Sequence, residues 1–265
     1  MPRIATVFIA TGQQASRRTR DASSASARAL ADIGCEVVEA RFDDKEALKR
    51  AVTGAECVFL VTYPLVDVPE IAQGINVIDV SKEAGVKFLV FSTLPSMTEI
   101  SNGKFKDIGH FDDKSVIQKH LEASGLPCAC ICPGGFLRIL SVGDARTVLF
   151  YTWINRDMGL AVKALFTQYT MRLPEIDHRT FVLGCCRLSA EGLAAELAKV
   201  LGKPVEVKRV HTDVKLINDM FDFCIEHQWF PEIPVPDPRL EALGVKVGTI
   251  EEFARTELKP WAESL

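Results

Sequence analysis

The residues best suited to chemistry are gathered in His110-Phe111-Asp112-Asp113-Lys114, where a lysine follows the start of a helical pattern. A lysine whose pKa is lowered by its surroundings can take or give a proton as a general base or acid. The competing reading is a solvated lysine in a helix's first turns, with His110 a plain helix N-terminal residue. Lysine is seldom buried, so Lys114→Met is expected to leave the fold intact. No tyrosine shares the task through a Tyr-x-x-x-Lys spacing, because Tyr63, Tyr151 and Tyr169 have no lysine four positions later. A second stretch, Ile9-Ala10-Thr11-Gly12-Gln13-Gln14-Ala15-Ser16, ends an apolar run. A dinucleotide loop there needs glycines for the tight turn, for backbone approach to the pyrophosphate and for helix packing. Only Gly12 is present, so on its own the stretch reads equally well as an ordinary strand-to-helix turn.

These residues need elements to hold them. Continuous apolar runs at Ile4–Ala10, Glu36–Ala40, Cys57–Thr62, Lys87–Phe91 and Cys128–Cys132 suit strands covered on both faces. Helical patterns lie between them at Ser23–Ile33, Lys45–Val52, Val68–Ala84 and Asp112–Ser124. Gly34, Gly54, Gly85 and Gly125 follow these helices, where a left-handed C-cap favours glycine. Strict alternation implies a parallel sheet with right-handed crossovers and helices on both faces. After Pro133 a smaller part follows, with helices near Arg156–Tyr169, Ser189–Leu201, Asp213–His227 and Thr249–Leu258 and strands at Thr180–Leu183 and Val205–Val210. Pro231 to Pro238 holds four prolines and reads as a rigid extended loop. The expected fold is therefore α/β, a Rossmann-like parallel sheet over residues 1–133 and a smaller α/β part over 134–265.

Composition sets further bounds. A net charge of −4 and a pI near 5.8 give no basic footprint, which argues against direct nucleic-acid binding. No apolar run reaches the ~20 residues that span a bilayer. The N-terminal Met1–Ala10 imitates a signal peptide, but its apolar stretch is short and arginines follow, so it reads as a buried strand. A cytoplasmic chain is expected. Eight cysteines are present, none in a C-x-x-C pair, and Cys128, Cys130 and Cys132 alternate along one strand. Small buried hydrophobes in a reducing compartment account for them better than zinc does.

The order of motifs along nearly the whole chain resembles the NmrA-like family, an atypical branch of the short-chain dehydrogenase superfamily with isoflavone-reductase-like relatives. That family carries Gly-x-x-Gly-x-x-Gly after its first strand, and Ile9, Gly12 and Ala15 stand in those positions here. Thr19-Arg20-Asp21 resembles the segment that ends the family's second strand, yet it follows almost at once. One helix-strand unit thus looks missing between Ala10 and Glu36; the alternative is that Ser16–Ile33 is simply the first helix. His110-Phe111-Asp112-Asp113-Lys114 matches the family's His-Phe-Asp-x-Lys, and Leu126-Pro127, Pro133-Gly134-Gly135-Phe136, Leu201–Val205 and Thr249–Phe253 match later elements.

The resemblance implies an oxidoreductase using NADP, or NAD, on a small carbonyl or enone-type metabolite. It implies that Thr11, Gly12, Gln13 and Gln14 touch the phosphates, that Arg20 pairs with a 2′-phosphate, and that Thr62, Ser92 and Pro133 end strands beside the cofactor. Lys114 would hold the nicotinamide ribose and move a proton, with His110 beside it. The substrate would lie between Pro133–Phe136 and the C-terminal helices. Two other functions stay open: a non-catalytic NAD(P)-sensing regulator that binds a transcription factor, and a cofactor-independent isomerase, dehydratase or scaffold.

Overall fold

The structure, a computed structural model, describes residues 4–8, 24–64, 67–106, 108–137, 147–208 and 213–263. In chain order these form β1 (Ala5–Val7), α1 (Ala25–Asp32), α2 (Lys45–Val52), β2 (Cys57–Leu60), α3 (Glu70–Glu83), β3 (Phe88–Ser92), α4 (Met97–Ile100) and α5 (Gly109–Ala123). Then follow β4 (Cys128–Pro133), β5 (Gly135–Phe136), β6 (Val148–Thr152), α6 (Ile154–Ile176), β7 (Arg179–Leu183), β8 (Cys186–Ser189), α7 (Ala190–Leu201) and α8 (Lys215–Glu226). The chain closes with α9 (Pro238–Ala242), α10 (Ile250–Phe253), a π-helical turn (Ala254–Leu258) and α11 (Lys259–Glu263). Gly34, Gly54, Gly85 and Gly125 all have positive φ beyond their helices, as the sequence required. No helix among the described residues is long and apolar enough to cross a membrane.

Two compact units emerge, and the chain passes between them more than once. The first comprises Met1–Leu94, Gly109–Ile131 and Leu165–Thr180; the second comprises Pro95–Ile108, Cys132–Ala164 and Phe181–Leu265. The main sheet has the order β1-β2-β3-β4-β7, and β1 to β4 pair in parallel. Every residue of β2, β3 and β4 is buried, which explains their unbroken apolar runs. The core of the first unit joins Leu60, Ile78, Leu89, Phe91, Ile117 and Leu121. The second unit carries a sheet of order β5-β6-β8, in which β5 pairs with β6 in parallel and β8 with β6 antiparallel. Its core gathers Trp153, Leu193, Leu197, Phe253 and Leu258. Asp237 anchors that unit: its buried carboxylate caps α9 and accepts from the backbone N–H of Val182 at 3.0 Å.

Three sequence expectations change. Residues 35–41 carry no strand: Val38 is 45% exposed, and the segment is held instead by Phe42, which stacks on Phe8 at 6.0 Å and whose carbonyl accepts from Asn76. A strand needs a ladder partner, and among the described residues β1 pairs directly with β2 with no strand between them in the chain. For the same reason β1 stands at the edge of the sheet formed by the described residues, with Val7 44% exposed, and its described part is not the buried strand expected. The expected strand at Val205–Val210 is absent over Val205–Lys208, where Glu206 and Lys208 pair in solvent at 3.5 Å; Arg209 and Val210 lie outside the described residues. The strands β6 and β8 went unexpected: β6 is a short apolar run, Val148–Thr152, that the sequence reading passed over, and β8 is half-buried along its length and shows no period.

Candidate functional site

The site is built where strands of the main sheet end. β2 stops at Leu60, and the chain leaves through Val61 and Thr62, both buried. It then loops to Pro69 and enters α3 at Glu70. Gln73 fixes this loop: its amide nitrogen donates to the carbonyls of Tyr63 and Val68, each at 2.8 Å, and its oxygen accepts from the Tyr63 N–H at 3.0 Å. The loop is thereby folded so that Glu70 returns to Thr62, whose hydroxyl donates to Glu70 Oε1 at 2.7 Å. A carboxylate in the first turn of a helix is also favoured by the helix dipole.

α5 supplies the cation. Phe111 and Lys114, three residues apart, share the buried face of its first turns. Lys114 Nζ donates to Glu70 Oε1 at 2.5 Å, to Thr62 Oγ1 at 2.8 Å and to the Thr62 carbonyl at 3.0 Å. All three ammonium protons are therefore used, and the Phe91 ring lies 6.0 Å away. The side chains of Lys114 and Glu70 are 11% and 2% exposed. This overturns the solvated first-turn lysine and, with it, the expectation that Lys114→Met leaves the fold intact. The hydrophobic packing of α5 on α3 and β3 carries the lysine inward, and Glu70 makes its burial tolerable.

The electrostatics are those of a charged pair withdrawn from water. Burial pulls the Lys114 pKa below the ordinary lysine range, and the Glu70 carboxylate opposes that shift. Burial also lowers His110, whose ring meets Phe111 edge-on at 4.8 Å. Asp113 is raised, first by desolvation and then by Glu70. Glu70 Oε2 is buried and has no hydrogen-bond partner among the described residues. An acceptor in that condition calls for a donor beyond the described residues, and a hydroxyl would serve.

The structure thus brings together Thr62 and Lys114 of the expected residues, with His110 one turn earlier on the same helix. Ser92 ends β3 and is buried, while Pro133 ends β4 and falls in the second unit. Thr11, Gly12, Gln13, Gln14 and Arg20 lie outside the described residues. Glu70 was missed, because an acid after Pro69 reads as a helix-start residue. The available signal was its place on a buried stripe: Glu70, Gln73, Gly74 and Val77 have i, i+3, i+4, i+7 spacing, and all four are buried.

Comparison with known proteins gives the setting. The sequence profile described as the NmrA-like family matches residues 3–143. An NmrA-like family domain-containing oxidoreductase of Malbranchea aurantiaca is 27% identical over 183 residues, 59% of this chain and 54% of that protein. The chain spans between 28% and 54% of the length of curated relatives such as this one. Among solved structures, the negative transcriptional regulator NmrA in complex with NAD has a TM-score of 0.81 at 17% identity, covering 99% of this chain and 98% of that one. The NADPH-dependent quinone oxidoreductase of Escherichia coli, complexed with NADPH, has a TM-score of 0.70 at 19% identity, covering 95% and 99%. At these identities the structural likeness speaks to fold.

Proposed function

Because the chain belongs to the NmrA-like family, we propose that it is an oxidoreductase working with a nicotinamide dinucleotide, NADP before NAD, on a small carbonyl or enone-type compound. The observation that carries this reading is Lys114: a buried lysine of lowered pKa, held at the carboxyl ends of parallel strands, where such folds bind ligands. The dinucleotide, when bound, supplies the hydride.

The chain's own residues do the rest. Thr62 and Glu70 fix the Lys114 ammonium so that only a small displacement brings an N–H to an incoming oxygen. Lys114 and Glu70 Oε2, an acceptor without a donor among the described residues, are the groups that would hold a ribose hydroxyl. Lys114 then gives its proton to the oxygen of the substrate, a loss of charge that burial favours. Thr11 to Gln14 and Arg20 are the residues proposed for the phosphates, from sequence resemblance alone.

The sign of the pH dependence follows. The active form of Lys114 as general acid is the protonated one, and its pKa is lowered. Turnover should therefore fall as pH rises, along a limb centred below the ~10.4 of a free lysine. A limb at or above that value, measured as kcat/KM against pH, would remove Lys114 from proton transfer. The reading as a whole is tested by calorimetric titration of the protein with NADPH, NADH, NADP and NAD in turn. One dinucleotide bound per chain is expected, and no heat with any of the four would contradict it.

A further inference from the structure

Outside this site, the feature the reading leaves unused is a pair of adjacent cysteines in the second unit. Cys185 and Cys186 are both free and half-buried, and their sulfurs stand 3.7 Å apart. Their backbone is fixed. The N–H of Cys185 donates to the Tyr151 carbonyl at 2.7 Å, and Cys186 is in register with Tyr151 across the antiparallel β6–β8 pair. Gly184, just before them, presses on β6 and Val235: a Cβ there would come within 2.9 Å of the Phe150 ring and 3.0 Å of Val235. Alternate strand residues point to opposite faces. Here Cys185 precedes the strand, and the two thiols converge.

We propose that Cys185 and Cys186 form a dithiol site for a trivalent thiophilic centre of the arsenic(III) class. Two thiolates sharing one soft centre at ~2.3 Å and a near-tetrahedral angle stand roughly 3.8 Å apart, so the sulfurs already have the required spacing. Soft centres select thiolates over oxygen ligands. Zinc is the poorer occupant, since a structural zinc site needs four ligands. Among the described residues the only group of three or more potential ligands is Cys128, Asp177 and His178, elsewhere in the molecule. A trivalent arsenical needs only two sulfurs beside the group it already carries. The thiol of Cys185 donates to Cys186, and this holds the Cys186 thiol below its ordinary value, readying the first nucleophile. With an arsenoxide the step balances without redox change. Two S–H bonds break and two As–S bonds form, and the oxide oxygen leaves with both protons as one water.

The probe is phenylarsine oxide, added to the native, reduced protein and read by intact mass. One adduct per chain is expected; it should survive excess mercaptoethanol and be released by 2,3-dimercaptopropanol. Exposed Cys35, a single thiol, forms only a monothiol-labile adduct and is removed by the mercaptoethanol wash. Tryptic cleavage after Arg179 and Arg187 places both cysteines on one peptide, so the arsenic should be found bridged within residues 180–187. That mapping needs no variant. Cys185→Ser and Cys186→Ser, checked for unchanged melting, should each abolish the stable adduct. No adduct, an adduct lost to monothiol, or a bridge mapped to another peptide overturns the proposal.

Discussion

Lys114→Met is expected to lower turnover by about a hundredfold or more, the usual worth of a positioned general acid. It should also destabilise the protein by ~3–5 kcal/mol, because removing one partner of a buried pair leaves the other charge uncompensated. Among the described residues Glu70 would keep the Thr62 hydroxyl on one oxygen and nothing on the other. The two effects can be separated. In Glu70→Leu/Lys114→Met both charges go, and replacing a buried ion pair by apolar groups of similar size is often neutral or stabilising. The double variant should therefore melt near the parent temperature while its turnover stays at the level of the single variant. Turnover restored together with stability would make Lys114 a structural cation and leave proton transfer without its residue.

Dinucleotide affinity should be about a hundredfold weaker than in a relative with an intact glycine loop. Ile9 and Ala15 stand where the family pattern has glycines, so the tight turn and the helix packing that aim the backbone at the phosphates are compromised, while Gly12 keeps the close approach itself. Each lost charge-assisted contact of ~1.5 kcal/mol costs roughly tenfold. The sequence between Ala10 and Glu36, which reads as one helix-strand unit short of the family pattern, compounds this. The check is calorimetry at one fixed ionic strength beside a family member whose loop keeps all three glycines. Sub-micromolar NADPH binding by this chain would refute the expectation.

The parts of the fold that could be read in advance are those governed by local pattern. β2, β3 and β4 were found as apolar runs because both of their faces are covered. α2 matched to the residue, because Asp44 caps its N-terminus through the Ala47 N–H and Val52 ends its apolar stripe. The lost second strand has a non-local cause. Glu36–Ala40 has the composition of a strand, but a strand also needs a neighbour, and no local pattern records whether one is present. The candidate site divides the same way. Phe111-x-x-Lys114 was legible as a motif, whereas the burial of Lys114 depends on Glu70, 44 residues earlier, and on a loop folded by Gln73. Spacing within one helix fixes which residues share a face; it does not say which partner the other chain segment will bring.

The most direct measurement is transfer of label. The protein, saturated with NADPH deuterated at the reactive nicotinamide carbon, is incubated with a panel of quinones, enones and small aldehydes, and products are examined by mass spectrometry. Deuterium is expected in the reduced form of at least one acceptor, with the rate falling about a hundredfold or more in Glu70→Leu/Lys114→Met at unchanged melting temperature. Dinucleotide bound at saturation with no label in any acceptor, or equal transfer by the parent and the double variant, would contradict a redox site built on Lys114.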